Sequence, residues 1–132
     1  GLGDVYKRQS WYRVDRFLHR VPYEKTPEVY AACDILLKTS LLESFSYPPL
    51  EMMASGGYVV AVPNGGNLEY LKDGENCILY PQGNLAEAKA AIERILTDAE
   101  LRKKLDTGAE ETVKERNWKR IEPQILEQYL GK

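Results

Sequence analysis

The fold is decided by residues 34–62, which read DILLKTSLLESFSYPPLEMMASGGYVVAV. Two short apolar runs, Asp34–Lys38 and Tyr58–Val62, bound this stretch, and each has the length and composition of a strand that is buried on both faces. Between them, the pair Pro48-Pro49 favours the start of a helix over 49–55. A strand, a helix and a second strand in this order predict a parallel sheet, because parallel strands need a crossover connection.

Two further elements are predicted before this stretch. Asp15–Val21 carries several apolar residues and is typical of a strand. A helix is expected to begin at Thr26-Pro27 and to run to about Cys33, since threonine can cap a helix and proline suits its first turn.

Turn-forming residues separate two more elements behind the stretch. The sequence Asn64-Gly65-Gly66-Asn67 predicts a turn, and Asn67 is expected to cap a short helix that ends at Leu71. Cys77–Tyr80 is the last apolar run with the length of a strand, which brings the predicted sheet to four strands.

From Asn84 onward the pattern is helical. Asn84 and Glu87 have the spacing of a capping box, and an apolar helix face follows them. The residues predicted for this face are Leu85, Ala88, Ile92, Ile95 and Leu96; later helical faces are indicated by Leu101, Leu105, Ala109 and Val113 and by Ile121, Ile125 and Tyr129. Strands that alternate with helices predict an α/β fold with a parallel sheet covered on both faces, and such open sheets bind ligands at the carboxyl ends of their strands.

The composition excludes several classes of protein. A net charge of −2 gives no basic field for nucleic acid, and no apolar run approaches the length of a membrane span. His19 is the only histidine, which excludes a metal site with several histidines. Cys33 and Cys77 are expected to be reduced, buried thiols, which suggests a reducing compartment. Residues 1–14 are interpreted as a fragment edge or cloning remnant, and residues 15–132 as one domain.

The stretch from Glu43 to Glu51 carries the candidate chemistry. One carboxylate lies in a loop after a strand, and a second lies in the first turn of the helix that the prolines begin. The N–H groups of such a turn bind anions, and a carboxylate accepts hydrogen bonds from the paired hydroxyls of a sugar. A structural interpretation is also open, because Glu51 could cap the helix, Glu43 could be a solvated loop residue and Phe45 could belong to the core.

The same stretch resembles a known family. Glu43 and Glu51 are separated by seven residues that include Phe45 and Pro48-Pro49. Segments with family character follow: Met52-Met53-Ala54-Ser55-Gly56, Val59-Val60-Ala61, Gly65-Gly66, Glu69, Asp73-Gly74-Glu75-Asn76 and Tyr80-Pro81. Together, across residues 15–129, they are similar to the donor domain of the retaining GT-B glycosyltransferases of the family 4 type, which include sucrose synthases and bacterial mannosyl- and rhamnosyltransferases. The resemblance implies a partial Rossmann-like parallel sheet flanked by helices, the C-terminal part of a GT-B donor domain.

The resemblance also implies roles for individual residues. Glu43 matches the family's catalytic-site glutamate beside the donor sugar, and Glu51 matches the glutamate that binds the ribose hydroxyls. The residues implied for the donor sugar and phosphate are Ser44, Phe45, Ser46 and Tyr47, which act through backbone N–H groups, and those implied for the base are Val21, Pro22 and Tyr23. Ser46 stands where the family usually has glycine, so a positive φ at this position would strain the chain.

The family mechanism is metal-independent, and the chain has neither an Asp-X-Asp pair nor a histidine cluster. The resemblance implies a UDP-, GDP- or similar nucleotide sugar as substrate, no cofactor, and a glycan or lipid acceptor bound by a missing N-terminal domain. The family's phosphate-binding arginine and lysine would precede this chain, and Arg16, Arg20 and Lys38 are poorly placed to replace them. We therefore expect the isolated chain to be inactive, and its complete protein to be cytoplasmic or peripheral at a membrane. Two alternatives stay open, a non-catalytic nucleotide-sugar-binding module and an unrelated α/β interaction domain.

Overall fold

A computed structural model describes residues 15, 16, 18–117, 119–123 and 127. In chain order, after a 3-10 turn at Tyr23–Lys25, the elements are α1 (Thr26–Ala31), β1 (Ile35–Lys38), α2 (Tyr47–Ala54), β2 (Tyr58–Ala61), β3 (Ile78–Leu79), α3 (Leu85–Thr97) and α4 (Ala99–Glu115). Residues 119–123 are also helical. This order confirms the predicted α/β class.

Among the described residues, the sheet has three parallel strands in the order β1-β2-β3. Ile35 pairs with Tyr58 and Val60 pairs with Ile78, so β2 lies between the other two strands. The strand predicted over Asp15–Val21 does not form in the part of that segment that the structure describes. Leu18 is 44% and Val21 37% exposed, so these two apolar side chains lack the covering layer that a buried strand needs.

Successive residues of β2 face opposite sides of the sheet, and both sides are covered. The side chains of Val59 and Ala61 lie on the side of the sheet that α2 covers, whereas the side chain of Val60 lies on the side that α3 covers. The first cluster contains Met52, Met53, Val59, Ala61, Tyr70, Leu71 and Cys77, and the second contains Val60, Val62, Ile78, Tyr80, Ala88, Ala91, Ile95 and Leu105. The prediction that both faces are buried is confirmed for β2. It is wrong for the edge strand β1, in which the Leu37 side chain is 46% exposed.

The first helix differs from its prediction at both ends, because Thr26 is itself helical and the helix ends at Ala31 and not at about Cys33. α1 begins at Thr26, and the residue before it, Lys25, makes no capping hydrogen bond, so Thr26 is the first helical residue and not a cap. No residue of α1 is buried. Cys33, which follows this surface helix, is therefore exposed and not buried as expected, while Cys77 is buried and both thiols are free. Burial raises the pKa of the Cys77 thiol to about 12.

The short helix predicted after Asn67 is replaced by turns. The Asn64 Oδ1 atom accepts hydrogen bonds from the N–H groups of Gly66 at 3.1 Å and Asn67 at 3.0 Å. The Asn67 side chain itself donates to the Val62 carbonyl at 2.9 Å. These side-chain bonds compete with a helical hydrogen-bond ladder, of which only the bonds from Leu68 to Asn64 and from Leu71 to Asn67 form, so residues 65–70 stay in turns.

The cap predicted for α3 is confirmed, since Asn84 Oδ1 accepts from the Glu87 N–H at 3.1 Å and Asn84 Nδ2 donates to the Glu87 carboxylate at 2.6 Å. The predicted apolar face is wrong at both ends, because Leu85 is 81% and Leu96 63% exposed. The buried residues of α3 are Ala88, Ala91 and Ile95. In α4 Leu105 is buried, while Ile125 and Tyr129 lie outside the described residues.

Candidate functional site

The loop between β1 and α2 ends in a left-handed residue. Ser46 has φ 67° and ψ 74°, a conformation that favours glycine, so the condition stated for strain at this position is met. The helix then begins at Tyr47, two residues before the predicted start, because both prolines fit in its first turn. Glu51 is consequently the fifth helical residue and not a first-turn residue, so it does not cap this helix.

Glu43 lies at the carboxyl end of β1, where it forms an ion pair with Lys38, the last residue of that strand. The Lys38 ammonium also donates to Ser40 Oγ at 2.6 Å. The side chains of Lys38 and Glu43 are 15% and 28% exposed, so Glu43 is a partly buried, paired carboxylate and not a solvated loop residue. Hydrogen bonds from Lys38, and secondarily with Ser40, lower the pKa of Glu43 and keep it ionised at neutral pH.

Glu51 projects toward α1, where the Tyr30 hydroxyl donates a hydrogen bond to its Oε2 atom at 3.0 Å. Burial, reinforced by this hydrogen bond, raises the pKa of Tyr30 to about 12, so the phenol remains a donor at neutral pH. A pocket of about 270 Å³ opens beside this pair. It is lined by Tyr23, Glu24, Thr26, Pro27, Tyr30, Glu51 and Ala54.

This pocket brings together two residues whose predicted roles concern the same nucleoside. Tyr23, predicted for the base, and Glu51, predicted for the ribose, both line it. Val21 lines a different groove together with Val29 and Cys33, and Pro22 contributes its carbonyl to a turn with Lys25. Glu43 lies outside the pocket.

An aromatic cluster supports the loop. The Phe45 ring lies 5.1 Å from that of Tyr47 and 5.2 Å from that of Tyr70, and the Arg116 guanidinium lies 5.9 Å from its centroid. Tyr70 also donates its hydroxyl to the Ser46 carbonyl. The Phe45 side chain therefore packs with the domain, and only its backbone is suited to the sugar-binding role that was predicted for it.

Ser46 and Tyr47 occupy contrasting environments. Ser46 is buried, and its Oγ atom has no hydrogen-bond partner among the described residues. The Tyr47 side chain is exposed at the start of α2.

The Asn64–Asn67 turn packs against the same loop. The Asn64 side-chain amide donates to the Ser40 carbonyl at 3.0 Å. A Cβ atom on Gly66 would lie 2.5 Å from the Glu43 carbonyl oxygen and 2.7 Å from the Ser44 carbonyl carbon. Only glycine permits this approach, so the turn fixes the backbone that carries Glu43.

Three residues of the site were missed or misjudged from the sequence, namely Tyr30, Lys38 and Arg116. Lys38 had a usable signal, since a cation at the end of an otherwise apolar strand must find a partner near the strand terminus. Tyr30 and Arg116 gave none, because their contacts with Glu51 and Phe45 span 21 residues or more of sequence.

The arrangement offers two carboxylates and, at the start of α2, the backbone N–H groups of Ser46 and Tyr47, since Pro48 and Pro49 carry none. Such groups can hold sugar hydroxyls and an anionic group, respectively. Among the described residues, no three histidine, cysteine, aspartate or glutamate side chains are grouped as metal ligands would be. None of the helices in the described part of the chain is both long and apolar enough to cross a membrane.

A sequence model of the family described as glycosyl transferases group 1 matches residues 15–112. The chain is 35% identical to the O-antigen biosynthesis protein RfbC of Myxococcus xanthus, over 86% of this chain and 9% of that protein. It is 30% identical to a D-inositol 3-phosphate glycosyltransferase of Thermomonospora curvata, over 88% of this chain and 27% of that protein. The chain thus spans well under a third of these relatives.

Solved structures agree with these matches. Anabaena HepE in complex with UDP-glucose has a TM-score of 0.72 at 29% identity, over 80% of this chain and 30% of that one. Sucrose-phosphate synthase of Thermosynechococcus elongatus has a TM-score of 0.78 at 27% identity, over 88% of this chain and 29% of that one. The three-stranded parallel sheet with its helices matches the C-terminal Rossmann-like domains of GT-B glycosyltransferases.

Proposed function

Because this chain belongs to the group 1 glycosyl transferase family, we propose that it is the donor-binding part of an enzyme that transfers a sugar from a nucleoside-diphosphate sugar to an acceptor with retention of configuration. HepE, at 29% identity, is described in complex with UDP-glucose. A UDP sugar is therefore the first donor to test, with GDP sugars as the comparison.

The observation that carries this proposal is the placement of the two glutamates on one strand–loop–helix unit. Glu43 lies at the carboxyl end of β1, the edge at which parallel α/β sheets bind ligands. Glu51 lies in α2 and lines the pocket that also contains Tyr23. One elongated ligand would then place its nucleoside at Glu51 and its sugar near Glu43.

We assign the roles as follows. Glu51 binds the ribose hydroxyls, and Tyr23, with the backbone at Val21 and Pro22, lies against the base. The backbone N–H groups of Ser44, Phe45, Ser46 and Tyr47 hold the sugar hydroxyls and the diphosphate, and Glu43 is the catalytic-site carboxylate beside the donor sugar. These roles correspond to the Glu-x7-Glu motif of the family 4 type.

The chemistry follows from charge development during transfer. The departing nucleoside diphosphate gains negative charge, which the N–H groups of Ser46 and Tyr47 at the start of α2 can stabilise. The sugar becomes cation-like, and a carboxylate that holds its hydroxyls binds that state more tightly than the ground state. Both groups are therefore placed to lower the barrier when the donor spans them.

We further propose that the transfer needs neither a metal ion nor a cofactor, so turnover should persist in excess EDTA. The acceptor, a glycan or a lipid, would bind to an N-terminal domain of the complete enzyme. We place that enzyme in the cytoplasm, with peripheral membrane contact when the acceptor is a lipid, which cell fractionation can test.

The first test replaces Glu51 by alanine in the complete enzyme. Two ribose hydroxyls share this carboxylate in the proposal, and hydrogen bonds to a charged group contribute roughly 1.5–3 kcal/mol. We expect E51A to weaken the binding of UDP or UDP-glucose by that amount in isothermal titration calorimetry. E93A is the matched control, because Glu93 is an exposed glutamate in an ion pair on α3.

Normal donor affinity in a folded E51A variant would show that Glu51 serves only the packing of α1 on α2 through Tyr30. Donor binding by the wild type without turnover of any nucleotide sugar would support a non-catalytic binding module. Absence of both would favour an unrelated interaction domain.

A further inference from the structure

Among the described residues, the ion pair between Lys38 and Glu43 is less exposed than every other charge pair, including Arg116–Glu69 at 29% and 56%. Its two side chains are 15% and 28% exposed. In Lys25–Glu28, Lys89–Glu93 and Lys114–Glu110, by contrast, both side chains are more than half exposed. The Lys38–Glu43 pair also joins a sheet strand to the loop of the candidate site, whereas those three pairs lie within single helices or turns.

Stability alone does not account for a lysine at this position. Lys38 pairs with Ala61 in the register of β1 and β2, where a β-branched side chain would suit the half-buried surface of the sheet better. Holding the long side chain in one rotamer costs conformational entropy, and removing the ammonium from water costs solvation. A partly buried ion pair recovers these costs only in part.

What the pair does achieve is a fixed orientation of Glu43. The Lys38 ammonium contacts both the Glu43 carboxylate and Ser40 Oγ. It therefore connects the end of β1 to two positions of the loop that follows. Gly66 holds the Glu43 backbone from another direction. The carboxylate is thus oriented before any ligand arrives, which is the arrangement that catalytic and binding groups require.

We infer that Lys38 is a positioning residue of the donor-sugar site, which acts through Glu43. It orients the Glu43 carboxylate and offsets its charge, so that Glu43 contributes mainly as an acceptor for sugar hydroxyls. This inference rests on the proposed function, because it assigns Lys38 a part in the same donor site.

The charge balance around Glu43 gives a readout that a purely structural role would not change. Lys38 and Ser40 face Glu43 from β1 and its loop, and Tyr70 is electrostatically coupled to it from the 64–71 turns. Burial raises the pKa of Tyr70, so it stays neutral in the acid range. Lys38 is therefore the group whose removal should move the titration of Glu43. Without it, only the hydrogen bond with Ser40 still lowers the pKa of Glu43, so that pKa moves upward from its value in the wild type, and activity that needs the carboxylate would be lost at a higher pH as the pH falls.

The experiment compares K38M and K38R with the wild type and with K89M, which removes an exposed lysine of α3 that also pairs with a glutamate. In the complete enzyme with UDP-glucose, K38M should lower kcat/KM by about tenfold to a hundredfold and move its acid limb to higher pH. K38R should restore most of the activity, and K89M should match the wild type. Carbon-13 NMR of glutamate carboxyl groups in this 132-residue chain should show the same upward movement for Glu43 in K38M.

A folded K38M variant with an unchanged acid limb and an unchanged Glu43 titration would overturn the inference. If K38M does not fold, K38Q takes its place with the same expectations. A wild-type enzyme that turns over no nucleotide sugar would instead refute the proposed function. Turnover in the wild type that K38M leaves intact would refute only the role of Lys38.

Discussion

Ser46 combines two unfavourable features in one residue. Its φ of 67° costs a residue with a Cβ atom about 1–2 kcal/mol, and its buried hydroxyl has no partner among the described residues. Glycine would remove both penalties. Its greater conformational freedom in the unfolded chain would, however, cost about 0.5–1 kcal/mol of the stability gained. We expect S46G to raise the free energy of unfolding by about 1 kcal/mol, measured by urea denaturation followed by circular dichroism.

S46A separates the two features, because it removes the hydroxyl but keeps the Cβ atom. Its stability should fall between those of the wild type and S46G. If S46G proves less stable than the wild type, the hydroxyl has a partner that offsets the backbone strain, and the strain argument fails.

For individual residues of the site, the sequence identifies the charged groups better than it identifies their partners. Glu43 and Glu51 stand out by type and spacing, but the Tyr30 hydroxyl that holds Glu51 lies 21 residues away, and only the packing of α1 on α2 brings it near. Lys38 is only five residues from Glu43, yet its contact depends on the course of the intervening loop. Contacts of this kind follow from the tertiary structure and not from local pattern.

Among the elements, strands and capped helices were predictable where local and global preferences agree. The strand β2 and the Asn84 cap are such cases, because burial and side-chain hydrogen bonds favour the same conformation. The helix predicted in the 64–71 segment does not form because the asparagine side chains bond to the backbone in turns, and only two α-helical backbone bonds remain, from Leu68 to Asn64 and from Leu71 to Asn67. The 15–21 segment fails because an apolar pattern needs a covering layer before it becomes a strand.

The helix α4 packs closely on the 73–77 turn at Gly108, and this contact can be tested by substitution. A Cβ atom on Gly108 would lie 2.3 Å from the Glu75 carbonyl oxygen. Alanine is favoured over glycine in a helix by about 1 kcal/mol, but the backbone clash must push α4 away from the turn. We therefore expect G108A to lower the free energy of unfolding by roughly 1–3 kcal/mol, measured by thermal and urea denaturation.

G65A is the matched control, since a Cβ atom on Gly65 would have nothing within 4 Å. Its effect should stay within about 0.5 kcal/mol, as for other surface changes. A G108A variant as stable as G65A would mean that the turn moves aside without cost. That outcome would contradict a rigid contact between α4 and the turn. The hydrogen bond from Asn76 Nδ2 to Thr112 Oγ1, at 2.8 Å, favours such a rigid contact.

In the whole molecule, the two covered faces of the sheet leave its strand ends as the place for a ligand. The two core clusters fill both faces, and the loop after β1 and the Asn64–Asn67 turn after β2 meet at the carboxyl edge. The alternation of strands and helices predicted this architecture. It could not predict the pocket beside Tyr30, which depends on how α1 packs against α2.

By itself, this domain is expected to bind a donor nucleotide without transferring its sugar. If it is the donor-binding part of a larger enzyme, the purified 132-residue chain should bind UDP but transfer no sugar. Transfer requires an acceptor held in line with the donor, and it requires cations or N–H groups on both sides of the diphosphate. The described part of the chain supplies the N–H groups of Ser46 and Tyr47, while Lys38, the cation beside Glu43, is already paired with that carboxylate. Chromatography of UDP released from UDP-glucose should therefore show no more release by the wild-type chain than by an E43Q chain. Release above that level would mean that the chain contains a complete catalytic site, since E43Q removes only the charge of Glu43 and keeps the shape of its side chain.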